Sequence, residues 1–74
     1  MIVEISDPSR AEDLIAFLRS AACDARLDDT RRITVSLPEA PNEEAARREL
    51  ELYLAAWEAR QTGVRARRKP AYGL

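Results

Sequence analysis

Between Cys23 and Leu37 the chain alternates apolar and polar residues through two consecutive runs, and this pattern constrains the fold more than any other feature. Cys23, Ala25 and Leu27 alternate with Asp24, Arg26 and Asp28; Ile33, Val35 and Leu37 then alternate with Thr34 and Ser36. A period of two marks a strand with one buried face. Centring a turn on Thr30 pairs Leu27 with Ile33, Ala25 with Val35 and Cys23 with Leu37, all on one side. The two runs therefore read as an antiparallel hairpin turning at Asp29-Thr30-Arg31. A three-residue loop favours glycine or asparagine at its left-handed position. Arg31 is neither, which leaves a longer loop open.

The flanking segments have a different period. Met1 to Ile5 is short, rich in β-branched residues and bounded by Ser6-Asp7-Pro8, so it reads as a first strand with Met1, Val3 and Ile5 on one face. A helix follows, capped by Asp7 with Pro8 at the first helical position, or by Ser9 with Glu12 as a capping box. Ala11, Leu14, Ile15, Leu18 and Ala22 recur at helical spacing, and the helix ends near Ala22. After the rigid Pro38-Glu39-Ala40-Pro41, Asn42 is the expected cap of a second helix, with Ala46, Leu50, Tyr53, Leu54 and Trp57 as its core stripe. Gly63 is the expected stop. Val64 and Ala66 alternate with Arg65 and Arg67 in a last strand that Pro70 terminates.

The order is β-α-β-β-α-β, the ferredoxin-like split arrangement. The fold class is therefore α+β: a four-stranded antiparallel sheet of order 4-1-3-2 with both helices on one face. Residues 1–70 are expected to form a single domain, with 71–74 as a loose tail. Seventy-four residues leave room for one core, and folds of this size usually add a disulfide, a metal or a partner subunit. One cysteine excludes an intramolecular disulfide, and there is no histidine. A second subunit is what remains, so a homodimer is expected.

Chemistry-bearing residues are sparse. Without histidine there is no His-based triad, His general base or His-containing zinc site, and no catalytic residue, cofactor site or metal site is assigned. Cys23 shares the apolar side of its strand with Ala25 and Leu27 and reads as a buried core residue rather than a reactive thiol. Asp24, Asp28 and Asp29 lack a full ligand set and read as turn and edge-strand charge. The turn Ser6-Asp7-Pro8-Ser9-Arg10 has no glycine, and Asp7 would repel an anion, which argues against a phosphate cradle. No apolar stretch is long enough to span a membrane. The opening Met1-Ile2-Val3-Glu4 lacks the regions of a signal peptide, so with an unpaired thiol a cytoplasmic location is expected.

Two surface features stand out. Arg65, Arg67 and Lys69 share the sheet face away from the helices, in the densest basic run of the chain, while Arg68 points the other way. They form a candidate basic patch for nucleic acid or an acidic partner, or only charge that blocks edge aggregation. The outward positions of the central strands, Ile2, Glu4, Thr34 and Ser36, include no aromatic on which a base could stack. Leu52 falls off the core stripe of the second helix, near Ala45, Ala56 and Ala59, and this patch is the candidate subunit interface.

Val3-Glu4-Ile5-Ser6-Asp7-Pro8, Ala11-Glu12, Leu14-Ile15 and Leu18-Arg19-Ser20-Ala21-Ala22-Cys23-Asp24-Ala25 resemble the opening of small bacterial ferredoxin-like modules described as signal-transducing proteins or domains of unknown function. The resemblance covers about the first third of the chain. Ala22 stands where those modules usually carry glycine, so the helix is expected to end without a left-handed residue. The topology also resembles ACT-type ligand-sensing domains, whose glycine-bearing effector loop has no counterpart here. What the resemblance implies is a binding or regulatory role, and it transfers no functional residue. The reading that results is a non-enzymatic protein-interaction or regulatory module acting as a homodimer, with a nucleic-acid-associated module using the basic last strand as the alternative. Dimeric α+β barrel enzymes share the topology but need a reactive group that this chain does not supply.

Overall fold

The computed structural model describes residues 1–69. Its elements are β1 (Ile2–Ile5), a short 3₁₀ turn (Pro8–Arg10), α1 (Ala11–Ser20), β2 (Asp24–Asp29), β3 (Arg32–Ser36), α2 (Glu43–Glu58) and β4 (Ala66–Lys69). The expected loose tail at 71–74 lies outside the described residues. The strands form one antiparallel sheet in the order β2-β3-β1-β4, which is the expected order read from its other edge. Val3, Ile5, Ala25, Ile33, Val35 and Ala66 from the strands form one buried cluster with Leu14, Ile15 and Leu18 of α1 and Leu50, Leu54 and Trp57 of α2. One sheet face is thus covered by both helices, and the other carries Glu4, Arg26, Arg32 and Thr34.

The hairpin forms in the expected register, with Leu27 opposite Ile33 and Ala25 opposite Val35. Its loop differs. Asp29 pairs with Arg32, so the turn is the two residues Thr30-Arg31, and Asp28 is bulged out of the ladder. The bulge supplies the twist that a turn without a left-handed glycine does not. Asp29 Oδ1 accepts the Thr30 backbone N–H and, at 3.1 Å, its hydroxyl. Leu27 faces the helical side but lies past the cover the helices provide, and is 50% exposed.

Three helix ends depart from expectation. Asp7 accepts the Ser9 N–H at 3.0 Å and so caps the 3₁₀ turn rather than α1. The Ser9 hydroxyl also turns back to Asp7, at 2.7 Å, so the Ser9–Glu12 box does not form. At the other end, Ala22 takes φ +66°. Its N–H reaches the Arg19 carbonyl at 3.2 Å and the Cys23 N–H reaches the Leu18 carbonyl at 3.0 Å, the two bonds of a Schellman termination. A left-handed residue therefore does close α1, and it is alanine. Helix α2 starts as expected, with Asn42 Oδ1 accepting the Ala45 N–H at 2.8 Å. It stops at Glu58, short of Gly63, because Trp57 is its last buried residue. Beyond it, Arg60 and Gln61 close i→i+3 turns onto the carbonyls of Trp57 and Glu58. Gly63 is left-handed (φ +73°) in the loop that follows, and β4 begins at Ala66, leaving Val64 half-buried ahead of it.

Candidate interaction surface

Cys23 is buried, and its thiol is pushed above its usual value first by burial and then by the carboxylates of Glu49 and Asp24. That is the reverse of an activated nucleophile. Among the described residues no three Asp, Glu or Cys side chains gather as metal ligands, and Asp24, Asp28 and Asp29 remain exposed strand and turn residues. Asp7 sits below the ordinary carboxylate range because Ser9 donates two hydrogen bonds to it. An open groove of about 660 Å³ runs along the β2 edge past Arg19, Cys23, Asp24, Arg26, Thr34 and Ser36. It sets hydroxyls and the Asp24 carboxylate beside guanidinium groups.

The basic patch is present but largely neutralised. Lys69 Nζ lies 3.4 Å from Glu4, which also faces Arg32 at 3.7 Å. Arg67 does not stay on the outer face: its guanidinium wraps around the sheet edge to Glu58 of α2, at 2.6 Å. Arg68, on the inner side as expected, pairs with Glu51 at 3.0 Å. Of the three candidate residues, Arg65 alone makes no ion pair within 4 Å among the described residues. Its backbone is tied to Ser6 by bonds of 2.9 Å in both directions.

Both sheet edges are guarded by a side chain from the helix above them, a feature the sequence reading missed. Val35 exchanges its hydrogen bonds with Met1, so its partner Ala25 directs its backbone groups outward from β2. Arg19 of α1 donates to that Ala25 carbonyl at 3.0 Å. At the opposite edge, the Ala66 N–H points away from β1 and donates to Glu58 of α2 at 2.7 Å. A cation covers an acceptor on one edge and an anion covers a donor on the other. Each occupies a backbone group that an added strand would need.

What remains is the outer face of α2. Leu52 is 66% exposed, the most exposed large hydrophobic side chain among the described residues. Ala56 and Ala59 beside it are exposed and Ala45 is half-buried. The core stripe faces the opposite way, with Ala46, Leu50, Leu54 and Trp57 buried and Tyr53 half-buried. A cross-link between the helices holds this orientation: the buried Trp57 donates from Nε1 to exposed Asp13 of α1 at 2.9 Å. Among the described residues no helix is long and apolar enough to cross a membrane.

Compared with known proteins, the chain matches no family model, no curated protein and no solved structure. The likeness of its opening to signal-transducing modules therefore rests on those residues alone, and the function must be argued from the surface.

Proposed function

We propose that this chain is a non-enzymatic protein-interaction or regulatory module of the ferredoxin-like type that works as a homodimer in the cytoplasm. The exposure of Leu52 on α2 carries this reading. A 74-residue fold buries little surface, and leaving a leucine in water forgoes about 1.5–3 kcal/mol of burial. The guarded edges direct the contact to a helix face rather than to strand addition. The buried, protonated Cys23 and the lack of histidine leave no nucleophile–base pair for an enzyme. Light scattering from micromolar to about millimolar protein tests it. A mass that rises toward twice the monomer supports the reading, and a monomer at every concentration refutes it.

The nucleic-acid alternative draws less support, because Glu4 and Glu58 already occupy Lys69 and Arg67. A polyanion would have to displace both carboxylates. Anisotropy of a labelled oligonucleotide at low salt decides the point: steep salt-dependent binding, lost when Arg65, Arg67 and Lys69 become Ala, would revive it.

A further inference from the structure

We infer that β4 is a detachable strap: it opens as a unit from an otherwise folded domain, and it fills an acidic strand slot that suits an extended basic segment of a partner protein. This opening is independent of the proposed homodimer. Ala66–Lys69 lies at the sheet edge beside β1, and Ala66 is its one buried residue. An alanine brings little apolar surface to a core, whereas β1 and β3 supply Val3, Ile5, Ile33 and Val35. Ion pairs hold the rest of the strand: Arg67 to Glu58 at 2.6 Å, Arg68 to Glu51 at 3.0 Å and Lys69 to Glu4 at 3.4 Å. One partner in each pair is 44–60% exposed; such pairs contribute little and weaken with salt. Between β4 and α2 runs an open groove of about 300 Å³ lined by Leu54, Ala55 and Ala66, so the strand and the helix do not close on one another.

The register fixes what opening uncovers. The Ser6 N–H donates to the Arg65 carbonyl at 2.9 Å and the Ala66 N–H points away from β1, so the backbones of Glu4 and Arg67 bond to each other. Val35 exchanges its bonds with Met1, so Val3, two residues on, bonds to Ile33. Departure of β4 therefore strips the Glu4 backbone and leaves that of Val3 paired. The vacated edge is flanked by Glu4, Glu51 and Glu58, the carboxylates that Lys69, Arg68 and Arg67 held. A row of unpaired strand groups takes up an extended segment, and three carboxylates select basic side chains on it. The sequence Ala66-Arg67-Arg68-Lys69 is itself the pattern that fits. Arg32 stays 3.7 Å from Glu4, so Glu51 and Glu58 carry most of the selection.

Residue-resolved hydrogen exchange tests both the strap and the slot. In the wild type the Glu4 and Arg67 amides should be at least about a hundredfold less protected than those of Val3 and Ile33. Raising salt from about 0.05 to about 1 M should speed Glu4 and Arg67 about three- to tenfold and leave Val3 unchanged. Equal protection at Glu4 and Val3 overturns the strap. Arg68→Glu combined with Lys69→Glu sets like charges against Glu51 and Glu4, and should release β4 while Val3 stays protected. Loss of Val3 protection in that variant overturns the strap as well. A peptide with the sequence of residues 64–69 should then restore protection at Glu4. It is added at about millimolar concentration, because a tethered strand competes at an effective concentration of that order. A Glu4 amide that stays open overturns the slot, and so does one protected equally by a peptide with glutamate in place of Arg67, Arg68 and Lys69. Protection at Glu4 that rises with wild-type protein concentration makes the occupant β4 of a second copy and overturns the assignment to a foreign segment.

Discussion

Replacing Ala22 by glycine should make this protein more stable. Ala22 holds φ +66° at the end of α1. For an L-residue that conformation costs roughly 1–2 kcal/mol, through the approach of Cβ to the backbone. Glycine removes the clash but loses about 0.5–1 kcal/mol of chain entropy on folding. The Ala22 side chain is exposed, so no packing is lost, and the net gain is about 0.5–1 kcal/mol. Unfolding entropy of about 2.1 cal/mol/K per residue over 74 residues amounts to about 155 cal/mol/K. The melting temperature should therefore rise by about 3–6 °C. Ala21→Gly is the control. Ala21 sits at φ −95° and its half-buried methyl packs against the core, so glycine there brings an entropy cost and a small packing loss with no strain relieved, and this variant should melt lower than wild type. Calorimetry on the three proteins reads the effect directly. An Ala22→Gly protein that melts at or below wild type would refute the argument that the Schellman turn is strained.

Other consequences can be read with equally simple assays. Asp13→Ala strips the buried Trp57 N–H of its acceptor and should cost about 1–3 kcal/mol. Trp57 is the only tryptophan, so its fluorescence should shift at the same time, and Asp13→Asn should restore part of the loss. Because burial raises the Cys23 thiol above its unfolded value of 9.0, the folded state binds the proton more tightly than the unfolded chain. The thiol's contribution to stability should be flat below about pH 8 and fall as pH rises through 9, and Cys23→Ala should remove that fall when denaturant midpoints are followed with pH. Glu58→Ala frees the Ala66 N–H at the β4 edge, so hydrogen exchange at Ala66 should accelerate at least tenfold relative to Val3. Arg19→Ala frees the Ala25 carbonyl at the other edge. It should raise the aggregation rate on heating, whereas Leu52→Asp should not.

The features legible in the sequence were those set by local period. Alternation in Cys23–Leu37 located both hairpin partners of Ala25 and Leu27, and the spacing of Ala46, Leu50, Leu54 and Trp57 placed the buried side of α2. Period tells which way a side chain faces but not whether anything covers it, which is why Leu27 was placed correctly on its face and yet is half exposed. Gly63 suggested a longer α2 because a glycine stop is a local signal. The helix ends where its cover ends, after Trp57, and that is tertiary. The Asp28 bulge followed the same logic: the pairs on either side of it fix a two-residue turn that the alternation alone could not count. Arg19 and Glu58 looked like solvated charge on helix surfaces. Their bonds to Ala25 and Ala66 exist only because the topology brings each helix over the outermost strand. The off-stripe position of Leu52 was visible from the start, whereas the reason to prefer it over the sheet edges was not.

The two edge guards bear on the proposed self-association. A sheet of four strands has two edges, and adding a strand at either would be the most direct way for two copies to enlarge a thin core. Arg19 and Glu58 occupy backbone groups at those edges, and Arg67 closes over the second edge by sharing Glu58. Association by strand addition would first have to break these charge-assisted bonds, and bonds to charged groups contribute about 1.5–3 kcal/mol each when intact. The outer face of α2 asks for no such exchange. Leu52 has no partner to release, the alanines around it carry no polar group to desolvate, and Arg48 is held only at 4.0 Å by exposed Glu44. The difference in what must be given up, rather than the size of either surface, is what favours the helix.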